Sequence, residues 1–110
     1  MAIVYKVLGQ SAPAAITLTT LYTAPALTSA VVSTLVVCNL SVTAARTFRV
    51  AVRPAGASIT QAHYLYYDVE IPARDTFVTT IGITLATTDV VSVYASSTDL
   101  AFSLFGSELT

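Results

Sequence analysis

Residues able to do chemistry are few in this sequence, and their spacing does not suit it. His63 is the one histidine and Cys38 the one cysteine. General acid–base catalysis wants a proton carrier that titrates near neutral pH, so His63 would have to carry it alone. Serines are plentiful, but none sits in the Gly-x-Ser-x-Gly turn that exposes a nucleophile. His63 reads instead as a half-exposed residue opening a strand. One His and one Cys 25 positions apart (63 − 38) match no structural-zinc spacing, and the acids form no calcium-loop pattern. Asp68 and Glu70, at i and i+2, share one strand face and read as solvated polarity. Gly9, Gly56, Gly82 and Gly106 stand singly, so no loop cradles a phosphate. The expectation is no catalytic residue, no metal ligand and no cofactor, hence not an enzyme.

The run His63-Tyr64-Leu65-Tyr66-Tyr67-Asp68 is the richest constellation. Strict alternation puts Tyr64, Tyr66, Asp68 and Glu70 on one face of a strand and Leu65, Tyr67, Val69 and Ile71 on the other. With the second set facing the core, Tyr64 and Tyr66 stand outside. Tyrosine pairs an apolar ring with a polar tip, which suits subunit contacts and also platforms for sugars or bases. Cover for neighbouring strands of its own domain is the alternative reading of the pair. Arg49 and Arg53, outward on the preceding strand, are the matching anchors for acids on a neighbour, since the guanidinium fork fits carboxylates. Tyr64, Tyr66, Arg49 and Arg53 are therefore the candidate interface residues.

These residues must be positioned by strands. Ala, Thr, Val and Ser dominate, β-branched runs alternate with turn residues, and no window keeps a helical period. About eight strands are expected: 3–8, 16–23, 30–39, 46–53, 63–71, 76–83, 90–96 and 100–105. The third, apolar on both faces, belongs in the middle of the assembly. The fourth turns Phe48, Val50 and Val52 inward and Arg49, Ala51 and Arg53 outward. Pro54-Ala55-Gly56 and Pro72-Ala73-Arg74-Asp75 read as turns, Asp75 and Asp89 as turn caps, and Gly82 as a bulge or a close backbone approach. Ser97-Thr98-Asp99 reads as a hairpin joining the last two strands, which should then pair. The fold expected is an all-β antiparallel sandwich of about eight strands, jelly-roll-like or immunoglobulin-like.

The 110 residues are 55% hydrophobic and 10% charged, against roughly a quarter charged in ordinary soluble domains. One domain spanning 1–110 is expected, with 1–15 as an extended arm or an edge strand. Ala30 to Leu40, the longest apolar stretch, is interrupted by Ser33, Thr34 and Asn39, and falls short of the ~20 residues of a membrane helix. Met1-Ala2-Ile3-Val4-Tyr5-Lys6 reads as a strand and not as a secretory signal. With a net charge of −1 and a single lysine, no basic stripe exists for nucleic acid. Cys38, unpaired, suits a small buried hydrophobe. So apolar a domain needs protein neighbours to cover it, copies of itself or a larger assembly.

Four segments carry a resemblance: Leu21-Tyr22-Thr23-Ala24-Pro25-Ala26, Val31 to Asn39, Phe48 to Gly56, and Asp89 to Ser97 continuing through Phe102-Ser103-Leu104-Phe105-Gly106. Together they resemble small structural proteins of tailed bacteriophages, such as those of phages infecting aquatic bacteria and cyanobacteria. The resemblance covers nearly the whole chain, but its motifs are strand patterns and bring no catalytic residue. It implies a virion location after assembly in the host cytoplasm. A capsid decoration or cement protein comes first, partnered by copies of itself as trimers and by the major capsid protein. A tail, baseplate or fibre accessory protein is the alternative, and a carbohydrate-binding module using Tyr64 and Tyr66 is a third reading from outside the family.

Overall fold

Short β-branched runs punctuated by turns fold into strands, as the composition predicts. The computed structural model describes residues 2–110; Met1, first residue of the expected arm, lies outside them. The strands are β1 (Ile3–Ser11), β2 (Thr19–Thr23), β3 (Ser29–Asn39), β4 (Arg46–Arg53), β5 (Tyr64–Ile71), β6 (Thr76–Leu85), β7 (Val90–Ala95) and β8 (Leu100–Leu109). Single 3-10 turns occupy Pro54–Gly56 and Gln61–His63.

Two antiparallel four-stranded sheets form, in the orders β1-β8-β3-β6 and β2-β7-β4-β5. Strand 1 pairs with 8, 2 with 7, 3 with 6 and 4 with 5. That is one long antiparallel ribbon rolled around a core, the jelly-roll path, and it decides between the two topologies the sequence left open.

The expected β7–β8 hairpin is not formed. β7 pairs with β2 and β4, β8 with β1 and β3, and the segment between them crosses from one sheet to the other. The reason is burial: both strands are apolar enough to be central, and each sheet takes one. Only β4 and β5 are neighbours both in sequence and in a sheet. As expected, β3 lies inside its sheet, between β8 and β6.

Phe48, Phe102, Leu35, Val37, Val50, Val93 and Leu104 fill the space between the sheets, all fully buried. Phe48 is the hub, its ring centroid 5.2 Å from Phe77 and 6.1 Å from Phe102. Gly9 and Gly106 mark close approaches: a Cβ would sit 2.3 Å from the Leu21 carbonyl oxygen at Gly9 and 2.1 Å from that of Val31 at Gly106.

Asn39 is the buried polar tie of one end. Its amide nitrogen donates to the carbonyls of Ala44, Ile71 and Pro72, and its oxygen accepts from the Ser41 N–H. Asp89 accepts from the Ala55 and Ala86 N–H groups and Asp75 from that of Thr76, the capping expected of both.

Strand limits differ from the sequence reading by one or two residues at several ends and by three or more at three. Ile16 is exposed with φ 54, so β2 begins later, at Thr19. β1 runs on to Ser11 and β8 to Leu109, because the two pair along their whole length. Reciprocal backbone bonds between Ala2 and Thr110 close that ladder, so Ile3–Ser11 of the expected 1–15 segment is an edge strand and not a free arm.

Candidate functional site

The tyrosine strand departs from simple alternation. Phe48 lies opposite Val69, Val50 opposite Tyr66 and Ala51 opposite Tyr64, so β5 supplies two residues, Tyr67 and Asp68, against the single Arg49. It supplies an unmatched Leu65 again between Val50 and Ala51. Each bulge inserts an extra residue and exchanges the two faces of the strand. Asp68 takes the bulge's left-handed backbone, φ 53.

Val69 and Ile71 accordingly face the core as expected, but Tyr66 does not stand outside. Its ring packs inward, 6.0 Å from Phe48 and 5.4 Å from Phe77, and its hydroxyl donates to Thr79 Oγ1. Leu65 and Tyr67, expected inside, are exposed instead. Tyr64 remains outside, and its neighbour there is Tyr67, 5.0 Å away and edge-to-face at 86°. With Gln61 the two rings line a shallow groove of about 450 Å³.

Both arginines are outward, as predicted, but held within the chain. The Arg49 guanidinium lies between the rings of Tyr67 and Tyr94, 4.1 and 4.2 Å from their centroids. Its fork grips the Asp68 carboxylate at 2.7 and 3.3 Å, and that hydrogen bond pushes its pKa further up. Arg53 donates to Ser92 Oγ and to the carbonyls of Gly56 and Ala57, bracing the first 3-10 turn. Ala51, between them on the same outer side, is fully buried opposite Tyr64. This face is self-satisfied, a stacked cluster already holding its own counter-charge.

The outer face of the other sheet is its opposite in character. The charged residues in its four strands are Lys6 and Glu108. Both turn toward the opposing sheet, where Lys6 Nζ pairs with Glu108 at 3.2 Å and the Tyr22 hydroxyl donates to the same carboxylate. What faces outward is uncharged: Tyr5 and Val7, Phe105 and Ser107, Val31 and Val36, Val78, Thr80 and Thr84. Tyr5 is 84% exposed, Val78 59% and Val31 47%. A largely apolar groove of about 550 Å³ runs along it beside Tyr5, Val7, Val31 and Phe105, with Lys6 and Ser107 also in its lining.

The sequence reading missed this face because it weighed strands singly. Its signal was present in the charge-free β3 and β6 and in the Ile3, Tyr5, Val7 alternation, but only pairing places these strands in one sheet.

The remaining candidates are structural. His63 is half-buried, and its Nδ1 accepts the Thr60 N–H to cap the second 3-10 turn. Cys38 is half-buried rather than buried, since it lies on the outer side of β3 between the inward Val37 and Asn39. Among the described residues, no three of His, Cys, Asp and Glu gather to hold a metal ion. No helix among them is long and apolar enough to cross a membrane. Compared with protein-family models, curated proteins and solved structures, the chain matches none.

Proposed function

We propose that this chain is a non-catalytic structural protein that works by binding protein surfaces through the outer face of the β1-β8-β3-β6 sheet. The observation carrying this reading is that no charged side chain of the four described strands points outward from this face while Tyr5, Val31 and Val78 stand exposed on it. Monomeric soluble proteins seldom leave so broad an apolar surface open to water. The other sheet meets solvent in the usual manner, with Arg49, Asp68 and Glu70.

The sequence resemblance supplies the class: a virion structural protein of a tailed bacteriophage, first a capsid decoration protein, alternatively a tail, baseplate or fibre component. A jelly roll agrees with this by analogy only, since the same fold serves capsid proteins, lectins and cupins. Such a protein contributes binding energy, multiplied by a repeating lattice. The carbohydrate reading loses its platform, because Tyr66 is inside and Tyr64 meets Tyr67 edge-on, leaving no flat pair of rings.

Antibody labelling of purified particles of a phage whose genome encodes this chain tests the class. Label on the shell is the expected result, label on the tail selects the alternative, and unlabelled particles remove both. Val78→Lys tests the face: the variant should fold, since Val78 is exposed, yet lose association with its partners.

A further inference from the structure

The uncharged face carries a protrusion and a notch that the fold itself leaves unfilled. Tyr5 is the protrusion, on edge strand β1 and 84% exposed. Gly82 is the notch, on the opposite edge strand β6. Glycine inside a strand costs stability and normally answers a left-handed backbone or a close neighbour. Gly82 has neither: its φ is not left-handed, and an added Cβ would meet nothing within 4 Å. Gly82 lies in the β3–β6 bulge, where it and Ile81 stand against Ser33, as the sequence reading allowed, but the space there leaves room for a side chain.

The ladder pairings place the two features two residues apart in height, roughly 7 Å. Tyr5 lies opposite Ser107, Ser107 opposite Val31, and Val31 opposite Thr84, a straight row across all four strands. Gly82 is the next residue on the outer side of β6 after Thr84. A two-fold axis parallel to the strands, laid on this face, brings β1 of one copy over β6 of the other with Tyr5 at the height of Thr84, and a tyrosine side chain leaning along the strand spans the remaining distance to Gly82.

We infer that this face binds a second copy of the same chain, sheet on sheet, with each Tyr5 ring seated over the partner copy's Gly82. The inference rests on the reading of this face as an interaction surface and names its occupant. Protrusion and notch from one chain, on opposite edges and within a tyrosine's reach in height, make a self-complementary closed contact. Absence of charge on the face removes like-charge repulsion between identical surfaces. Four strands at about 4.8 Å spacing and roughly 30 Å long give a flat area on the order of 600 Å². Side-chain relief raises that toward the ~800 Å² per partner of a stable interface. The two-fold replaces the trimer that the family resemblance suggested.

Sedimentation equilibrium of the full chain and four variants tests it. Wild type should be a dimer. Val78→Lys should be monomeric, and Tyr5→Lys and Gly82→Glu should each weaken the dimer by about tenfold or more, as loss of a seated tyrosine anchor does. The double variant Tyr5→Lys with Gly82→Glu should recover dimerisation, because the new charges meet across the two-fold. Circular dichroism should show all variants folded, since all three positions are exposed. A wild type that stays monomeric overturns both the inference and the self-association on which it rests. A wild type that associates through Val78 but forms trimers, or gains nothing from the double variant, overturns the seating alone.

Discussion

The Tyr22 hydroxyl, in β2, donates a hydrogen bond to the carboxylate of Glu108, in β8, tying the two sheets together at one end of the sandwich. Lys6 approaches the same carboxylate from β1. The Tyr22 bond, with Lys6 adding to it, holds Glu108 below the usual carboxylate range. Burial first, then Glu108, pushes the Tyr22 phenol above its ordinary value.

Stability should therefore fall at both ends of the pH scale. For Glu108 the folded state binds its proton less readily than the unfolded chain, so its contribution is complete above about pH 4.3 and disappears as pH falls through the lower folded value. For Tyr22 the folded state holds the proton more tightly, so the contribution is complete below about pH 10 and is lost as pH rises beyond it. Urea midpoints measured across pH should show both limbs in wild type. Glu108→Gln should flatten the acid limb and Tyr22→Phe the alkaline one; variant curves parallel to wild type would refute the assignment.

Glycine positions should divide sharply. Gly9→Ala and Gly106→Ala force a Cβ into a backbone carbonyl that cannot swing away, and each should cost about 1–3 kcal/mol, lowering Tm by roughly 5 °C or more. Gly82→Ala, with open space around it, should leave the thermal stability of the monomer level or raise it by about 0.5 kcal/mol. Equal losses at all three sites would contradict the packing described.

Asn39→Ala should be among the most damaging single changes. It strands the carbonyls of Ala44, Ile71 and Pro72 and the N–H of Ser41 at the end of the core. Unpaired buried groups cost about 1–3 kcal/mol each before water intrudes, so a loss of about 3 kcal/mol in denaturant unfolding is expected. Asn39→Asp should not rescue it, since a carboxylate has no N–H to give.

Arg49→Lys should show that stacking, and not charge, fixes this residue. Lysine keeps the charge opposite Asp68 but has no planar group to lie between Tyr67 and Tyr94. A loss of about 1 kcal/mol is expected, in the range of partly exposed cation–π contacts. Altered tyrosine fluorescence should accompany it, and a variant matching wild type in both would oppose the reading.

The strands themselves were legible in the residues, and so was much of the facing. Phe48-Arg49-Val50-Ala51-Val52-Arg53 alternates without interruption, and Phe48 and Val50 are indeed fully buried while Arg49 and Arg53 face out. β-Branched side chains and turn formers act over a few residues, so local sequence suffices to set them. Tyr66 shows the limit. Its strand reads as regular alternation, yet two bulges opposite β4 reverse its faces, and a bulge exists only in relation to a partner strand. β7 and β8 show the same at larger scale: adjacent in sequence, they lie in different sheets because each is apolar enough to take a central place. Alternation and turn chemistry are properties of the chain alone, whereas register, sheet membership and the uncharged face before Tyr5 and Gly82 arise only when distant strands choose their neighbours.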